Sequence, residues 1–178
     1  MIDADYLILD GYNVINSWPE LIALQEQNLE HARKQLEEFA ANYASFKGVR
    51  AIVVYDGQDM GISGAPREEV RNKNLSVVFT NTDMTADSYI ERRVYEILRR
   101  KKVVFVVTGD YSEQLAVLGS GAYRFSVREL RADYRRAQQE MQKKGMRSQE
   151  LARNEIGNML DPNVLDKLEK LRRQKDAF

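Results

Sequence analysis

The sequence contains no cysteine and only one histidine, one tryptophan and three prolines. Without cysteine there is no disulfide, no thiol nucleophile and no Cys-ligated zinc or iron–sulfur centre. The single histidine, His31, removes multi-His metal sites and relay schemes that need a second imidazole. It lies on a charged helical stretch and is expected to face solvent. No apolar run approaches the roughly 18 residues of a membrane-spanning helix, and no signal-peptide pattern precedes the first strand-like run. A cytoplasmic protein without a membrane partner is expected. Also missing are Gly-x-x-x-x-Gly-Lys-Ser/Thr and a Gly-x-Gly-x-x-Gly after a strand, so no nucleotide cofactor is expected. The Asp-x-Asp of haloacid-dehalogenase-like phosphatases is absent, because Gly11 and Tyr12 follow Asp10. The paired acids and lysine of a receiver domain are absent too. What chemistry there is must run on carboxylates.

What is present is enough for a core: 178 residues, 43% of them hydrophobic, fit one domain of ordinary size. The net charge is zero but unevenly spread. Residues 1–125 hold 14 Lys/Arg against 18 Asp/Glu, and residues 126–178 hold 13 against 9. An acidic body at 1–125 is therefore expected, with a basic helical part at 126–178 packed on the same domain.

Three apolar, β-branched runs read as buried parallel strands: 6–9, 51–55 and 103–107. A shorter one spans 75–79. Between them lie helical patterns. Asn28 can cap a helix from Leu29 to about Lys47, closed by Gly48. Thr85 can start another whose apolar stripe is Ile90, Val94, Ile97 and Leu98. Asp110 with Glu113 can open a short helix ending at Gly119. Ser126 with Glu129 forms a capping box for a charged helix to about Lys144, and Ser148 and Asp161-Pro162 can start two more. The alternation predicts an α/β fold with a central parallel sheet flanked by helices. The segment 57–73 reads as a mobile loop.

Each of the three stronger strands is followed by an aspartate: Asp10, Asp56 and Asp110. Parallel strands deliver their carboxyl ends to one rim, where ligands bind in open α/β sheets. Carboxylates gathered there repel unless a cation or a proton intervenes. Taken singly, each is also an ordinary turn former or helix cap. Asp87, three and seven residues before Ile90 and Val94, continues the apolar stripe of its helix, which predicts a charge on a buried first turn. Glu91 and Asp83 read as surface charges. An oxygen-only donor set suits Mg²⁺ or Mn²⁺ rather than zinc. Such an ion activates water and stabilises charge on a phosphate. Asn13 can orient a carboxylate, the water or the phosphate, and Thr108 and Ser112 flank Asp110.

Asp10-Gly11-Tyr12-Asn13, Val54-Tyr55-Asp56-Gly57, Thr85-Ala86-Asp87 and Thr108-Gly109-Asp110-Tyr111-Ser112, in this order, resemble the NYN-domain ribonucleases of the PIN-like superfamily. The likeness is nearest to the YacP-like group, which also has Trp18-Pro19 and a basic helical C-terminus, and it covers nearly the whole chain. The resemblance implies a metal-dependent endoribonuclease with a PIN-like/NYN sheet and an acidic pocket on its rim. Asp10 and Asp87 match the acidic positions most tightly tied to catalysis, Asp56 and Asp110 the other acidic positions, and Asn13 the asparagine of the first motif. Many NYN domains carry a further aspartate where Ser112 stands here, which bears on a second metal. The group is associated with ribosome-dependent cleavage of mRNA, so the ribosome becomes an expected partner.

Residues alone suggest an RNA surface. Arg124, Arg128, Arg131, Arg135 and Arg136 recur at about helical spacing with Tyr123 and Tyr134 among them. Arginines pair with phosphates and tyrosines stack on bases. Arg67, Arg71 and Lys73 are secondary candidates, whereas the run Arg99-Arg100-Lys101-Lys102 reads as a solvated face. The alternative is a non-catalytic RNA- or ribosome-binding module. A metal-dependent phosphatase on small substrates is a third reading.

Overall fold

A computed structural model describes residues 4–57, 64–109 and 121–159, with side chains through Lys144. Six strands form one sheet: β1 (Tyr6–Asp10), β2 (Arg50–Tyr55), β3 (Arg67–Asn72), β4 (Leu75–Phe79), β5 (Val104–Val107) and β6 (Tyr123–Phe125), in the order β3-β4-β2-β1-β5-β6. All neighbours run parallel except β3, which pairs antiparallel with β4. The helices are α1 (Gly11–Ser17), α2 (Pro19–Gln27), α3 (Leu29–Lys47), α4 (Ala86–Arg99) and α5 (Val127–Met159). Among the described residues no helix is long and apolar enough to cross a membrane.

The expected mixed α/β sheet flanked by helices is what the chain forms. Its central strands are apolar on both faces because both faces are covered. Ile8, Ile52, Val54 and Val78 point one way and pack on Ala86, Tyr89, Ile90, Val94 and Ile97 of α4. The alternate residues Leu7, Leu9, Val53 and Val77 are equally buried and face the side taken by α1–α3. Each such aliphatic side chain contributes about 1.5–3 kcal/mol by leaving water.

The helix starts follow their caps. Asn28 Oδ1 accepts from the amides of Glu30 and His31 at 2.8 and 3.3 Å, and Gly48 ends α3 at φ 72°. Thr85 Oγ1 accepts from Ser88 N at 3.2 Å. Ser126 and Glu129 close a reciprocal box, Glu129 N donating to Ser126 Oγ at 3.2 Å and Ser126 N to Glu129 Oε2 at 2.8 Å.

Several expectations need correction. Residues 67–72 are not loop: they form the edge strand β3, whose polar sequence shows no alternation because both its faces meet solvent. Two helices, α1 and α2, precede α3, and β6 extends the sheet. Ser148 begins no new helix, since α5 runs unbroken to Met159. The expected helix at 110–119 and the start at Asp161-Pro162 lie outside the described residues. By contacts the chain divides within α5, into a unit Met1–Ala137 and a unit Gln138–Phe178.

Right-handed crossovers put α1–α3 and α4 on opposite faces, because the chain moves one way from β1 to β2 and the other way from β4 to β5. The direction of winding therefore reverses between β1 and β5. Crevices at such a reversal, at the carboxyl ends of the strands, are where open α/β sheets bind ligands.

Candidate active site

Asp10 ends β1 at that reversal. It is 8% exposed, and its Oδ1 caps α1 by accepting from Asn13 N at 3.1 Å. The turn of chain beyond it is set from two sides. A Cβ on Gly11 would run into the Tyr55 ring, so only glycine lets α1 start against β2. Asn13 Oδ1 in turn accepts from Gly109 N at 2.9 Å, tying α1 to the end of β5.

Asp56 follows β2 one strand away. Its Oδ2 accepts from Ala86 N at 3.4 Å, which brings this carboxylate to the N-terminus of α4, where the helix dipole favours an anion. Thr80, buried at the end of β4, accepts through Oγ1 from Gly57 N at 2.9 Å and fixes the chain just past Asp56. Asp87 stands in the first turn of α4, beside the residue whose amide Asp56 bonds. It is exposed. The expectation of a buried Asp87 is thus wrong: the buried face of α4 is Ala86, Tyr89, Ile90, Val94 and Ile97, and Asp87 lies off that face at the open rim.

The structure therefore sets Asp10, Asn13, Asp56 and Asp87 along one rim. Asp110, Tyr111 and Ser112 lie outside the described residues; the buried Thr108 and the exposed Gly109 lead to them. Among the described residues no three Asp, Glu or His side chains stand close enough together to hold a metal ion as they are.

Next to the rim, on the β5 side, lies a cleft of about 550 Å3 lined by Ser17, Pro19, Gly109, Arg124, Ser126, Val127, Arg128 and Arg131. Three of the sequence-selected arginines thus share one concavity. Arg135 is exposed and reaches Glu20 Oε1 at 3.3 Å, the oxygen that Arg131 holds at 2.6 Å.

The other basic and aromatic candidates do not join them. Tyr134 packs in an aromatic cluster, 4.3 Å from Phe39 and 6.2 Å from Trp18 between ring centroids, so its ring serves the core rather than a base. Arg71 is committed to Glu37 at 2.9 Å and Glu69 at 2.6 Å. Lys73 lies in the β3–β4 turn, at the edge of the sheet away from the acidic rim. Arg67 does lie at the rim end, opposite Phe79, but pairs with Glu69 at 2.6 Å. His31 is exposed, as expected.

Three residues with site-like chemistry were not singled out from sequence. Asp133 is 4% exposed and receives Tyr43 Oη at 2.6 Å, Lys47 Nζ at 2.7 Å and Arg136 at 3.2 Å. Burial raises its pKa, but the Lys47 and Tyr43 hydrogen bonds outweigh that and leave it below the usual aspartate value. Its position between Leu130 and Ala137 on the buried stripe of α5 was the available signal. Arg33 bonds Tyr12 Oη and lies within 5.8 Å of the Tyr12, Tyr55 and Phe79 rings. Asn81, 7% exposed, donates to the Gly64 carbonyl and leaves its own Oδ1 unpartnered.

By architecture this is an open α/β domain with a polar, acid-bearing rim at the carboxyl ends of a largely parallel sheet. Sequence comparison specifies it further: the YacP-like NYN domain matches residues 7–173, and the chain belongs to that family. It is 39% identical over 126 residues to the uncharacterized protein YacP of Bacillus subtilis (strain 168), spanning 71% of this chain and 72% of that protein. The fold is similar to the crystal structure of Rae1 (YacP) from Bacillus subtilis, with a TM-score of 0.69, 34% identity and 95% of each chain covered. A tryptophan-to-leucine variant of Rae1 gives a TM-score of 0.66 at 34% identity, over 78% of this chain and 79% of that one.

Proposed function

We propose that the chain is a metal-dependent endoribonuclease that hydrolyses RNA phosphodiester bonds at the acidic rim, with mRNA on the ribosome as its substrate. One observation carries this reading: a nearly buried carboxylate, Asp10, at the winding reversal of the sheet, with an arginine-lined cleft opening alongside. An acid-only site beside a basic groove fits hydrolysis of a polyanion better than hydrolysis of a small neutral substrate. Membership of the NYN family and the resemblance of its four motifs to ribonucleases point the same way.

The donor set consists of oxygen atoms and suits Mg²⁺ or Mn²⁺. Asp10, Asp56, Asp87 and Asp110 would hold the ion. When bound, it would supply an activated water and charge stabilisation at the phosphate. The chain's own groups do the rest. Asn13 holds the end of β5 in register with Asp10 through Gly109, and Arg124, Arg128 and Arg131 take backbone phosphates. With no histidine at the rim, a proton leaving the attacking water has only a carboxylate or solvent to receive it.

A second reading, a binding module for RNA or the ribosome without catalysis, draws on the arginine-lined cleft, which can hold a polyanion whether or not the rim turns it over. Cleavage of a translated mRNA in Mg²⁺ or Mn²⁺, with and without ribosomes, separates the two when wild type is compared with Asp10→Asn and Asp87→Asn. Cuts that need both acids and the ribosome support the full proposal. Cuts on free RNA keep the nuclease and remove the ribosome. Ribosome binding without cuts in any condition leaves the binding module.

A further inference from the structure

The cleft beside the rim holds an unequal set of charges. Among the described residues its lining includes three arginines and no acidic residue. Glu129, which holds Ser126 at the cleft, lies near enough for its charge to feel Arg124, and Arg131 gives one guanidinium nitrogen to Glu20 at 2.6 Å. Its Nε is buried without a partner. Glu20 follows the cleft residue Pro19 in the first turn of α2 and also holds Arg135. One carboxylate oxygen thus draws two guanidinium groups to one point at the mouth of a cationic cleft.

Geometrically this is what a phosphate oxygen does between two arginine forks. The Glu20 side chain is 56% exposed, so water competes for the pair and it is cheap to open. Arg131 is only 27% exposed, half as much as its partner. The Arg131 hydrogen bond also keeps the Glu20 carboxyl below the usual range, so the charge persists at any physiological pH.

We infer that the cleft of Arg124, Arg128 and Arg131 is a subsite for a backbone phosphate of single-stranded RNA, and that Glu20 is its resident carboxylate. A phosphate of the incoming strand displaces Glu20 and takes over Arg131 and Arg135. The inference rests on the proposed RNA reading of this cleft. It adds that affinity is held down from within the chain, and that short or weakly charged strands are screened out by the need to displace Glu20.

The test is equilibrium binding of a short fluorescein-labelled oligouridylate to the full chain in EDTA, followed by anisotropy over a salt series. Each freed arginine that gains a phosphate steepens the log Kd against log salt slope by about 0.7 and tightens binding about fivefold at about 0.1 M salt. Glu20→Gln is expected to show that gain for one to two arginines. Glu26→Gln, an exposed charge-matched change on the same helix, is expected to show much less. Arg131→Gln combined with Glu20→Gln should return the slope toward the wild-type value. Equal gains from Glu20→Gln and Glu26→Gln would reduce the effect to net charge and overturn the inference. An unchanged slope in folded Glu20→Gln, checked by its melting curve, would overturn it while leaving the RNA reading intact. No binding by any variant would overturn both. Cleavage is not needed for any of these outcomes, so they are independent of whether the rim is catalytic.

Discussion

The side chain of Asn13 accepts a hydrogen bond from the backbone of Gly109 at 2.9 Å, across 96 residues of sequence. It locks the first turn after β1 to the last residue described after β5, and so couples the two chain segments that bear Asp10 and Asp110. Asn13→Ala should cost about 0.5–1.5 kcal/mol of stability and a larger share of activity. Asn13→Asp, which keeps the acceptor, should retain the stability. Chemical denaturation alongside the cleavage assay measures both.

Asp10→Asn should abolish cleavage while leaving the fold intact, because asparagine caps a helix as well as aspartate does. Asp10→Ala loses the cap as well and should melt earlier by an amount equivalent to about 1 kcal/mol. A pair of melting curves beside the activity of both variants separates the charge from the cap.

The buried Asp133 gives the fold an acid-sensitive fastening. Its folded pKa lies below that of the unfolded chain, near 3.8, so its contribution is present above that value and is lost as pH falls through the folded pKa. Stability measured from pH 6 downward should fall, and Asp133→Asn should flatten the part of the fall below about pH 4. Asp133→Ala removes the acceptor shared by Tyr43, Lys47 and Arg136 and should cost about 3–5 kcal/mol. Tyr43, pushed up by burial and by its bond to Asp133, stays protonated throughout and remains a donor.

The single tryptophan reports on the packing of α5. Trp18 is 7% exposed and meets Phe39 edge-on at 4.6 Å and Tyr134 at 6.2 Å. Tyr134→Ala should shift Trp18 emission to the red and destabilise the protein by about 3 kcal/mol, in line with other large aromatic truncations. RNA affinity in the same variant should fall little, if the ring serves the core rather than a base.

The sequence was readable where one physical signal dominated. The apolar, β-branched runs of β1, β2 and β5 read as buried strands, and Asn28, Thr85 and Ser126 each offered a cap followed by a periodic stripe. It was unreadable where burial and polarity part company. The strand β3, Arg67–Asn72, is one exposed apolar residue among charges, and its strand state comes from pairing with β4, not from its own pattern. Asp87 looked buried by spacing, yet it stands just outside the stripe of Ala86, Tyr89, Ile90, Val94 and Ile97 that α4 buries. Tyr134 looked available because it sits among arginines, yet its helix turns it toward Phe39. Beyond its spacing from Leu130 and Ala137, nothing in the local sequence singles out Asp133, because its three partners come from α3 and from the next turn of its own helix.

The meeting of Gly11 with the Tyr55 ring has a consequence for any attempt to vary the first motif. The residue that forbids a side chain at position 11 is not in the motif at all but in β2, where its hydroxyl is anchored on the Arg33 carbonyl at 3.3 Å. Gly11→Ala alone should fail, and a smaller residue at 55 should relieve it only in part, because the Val54 carbonyl oxygen would also stand 3.0 Å from the new Cβ. A library over 10–13 should therefore keep glycine at 11 or vary position 55 together with it.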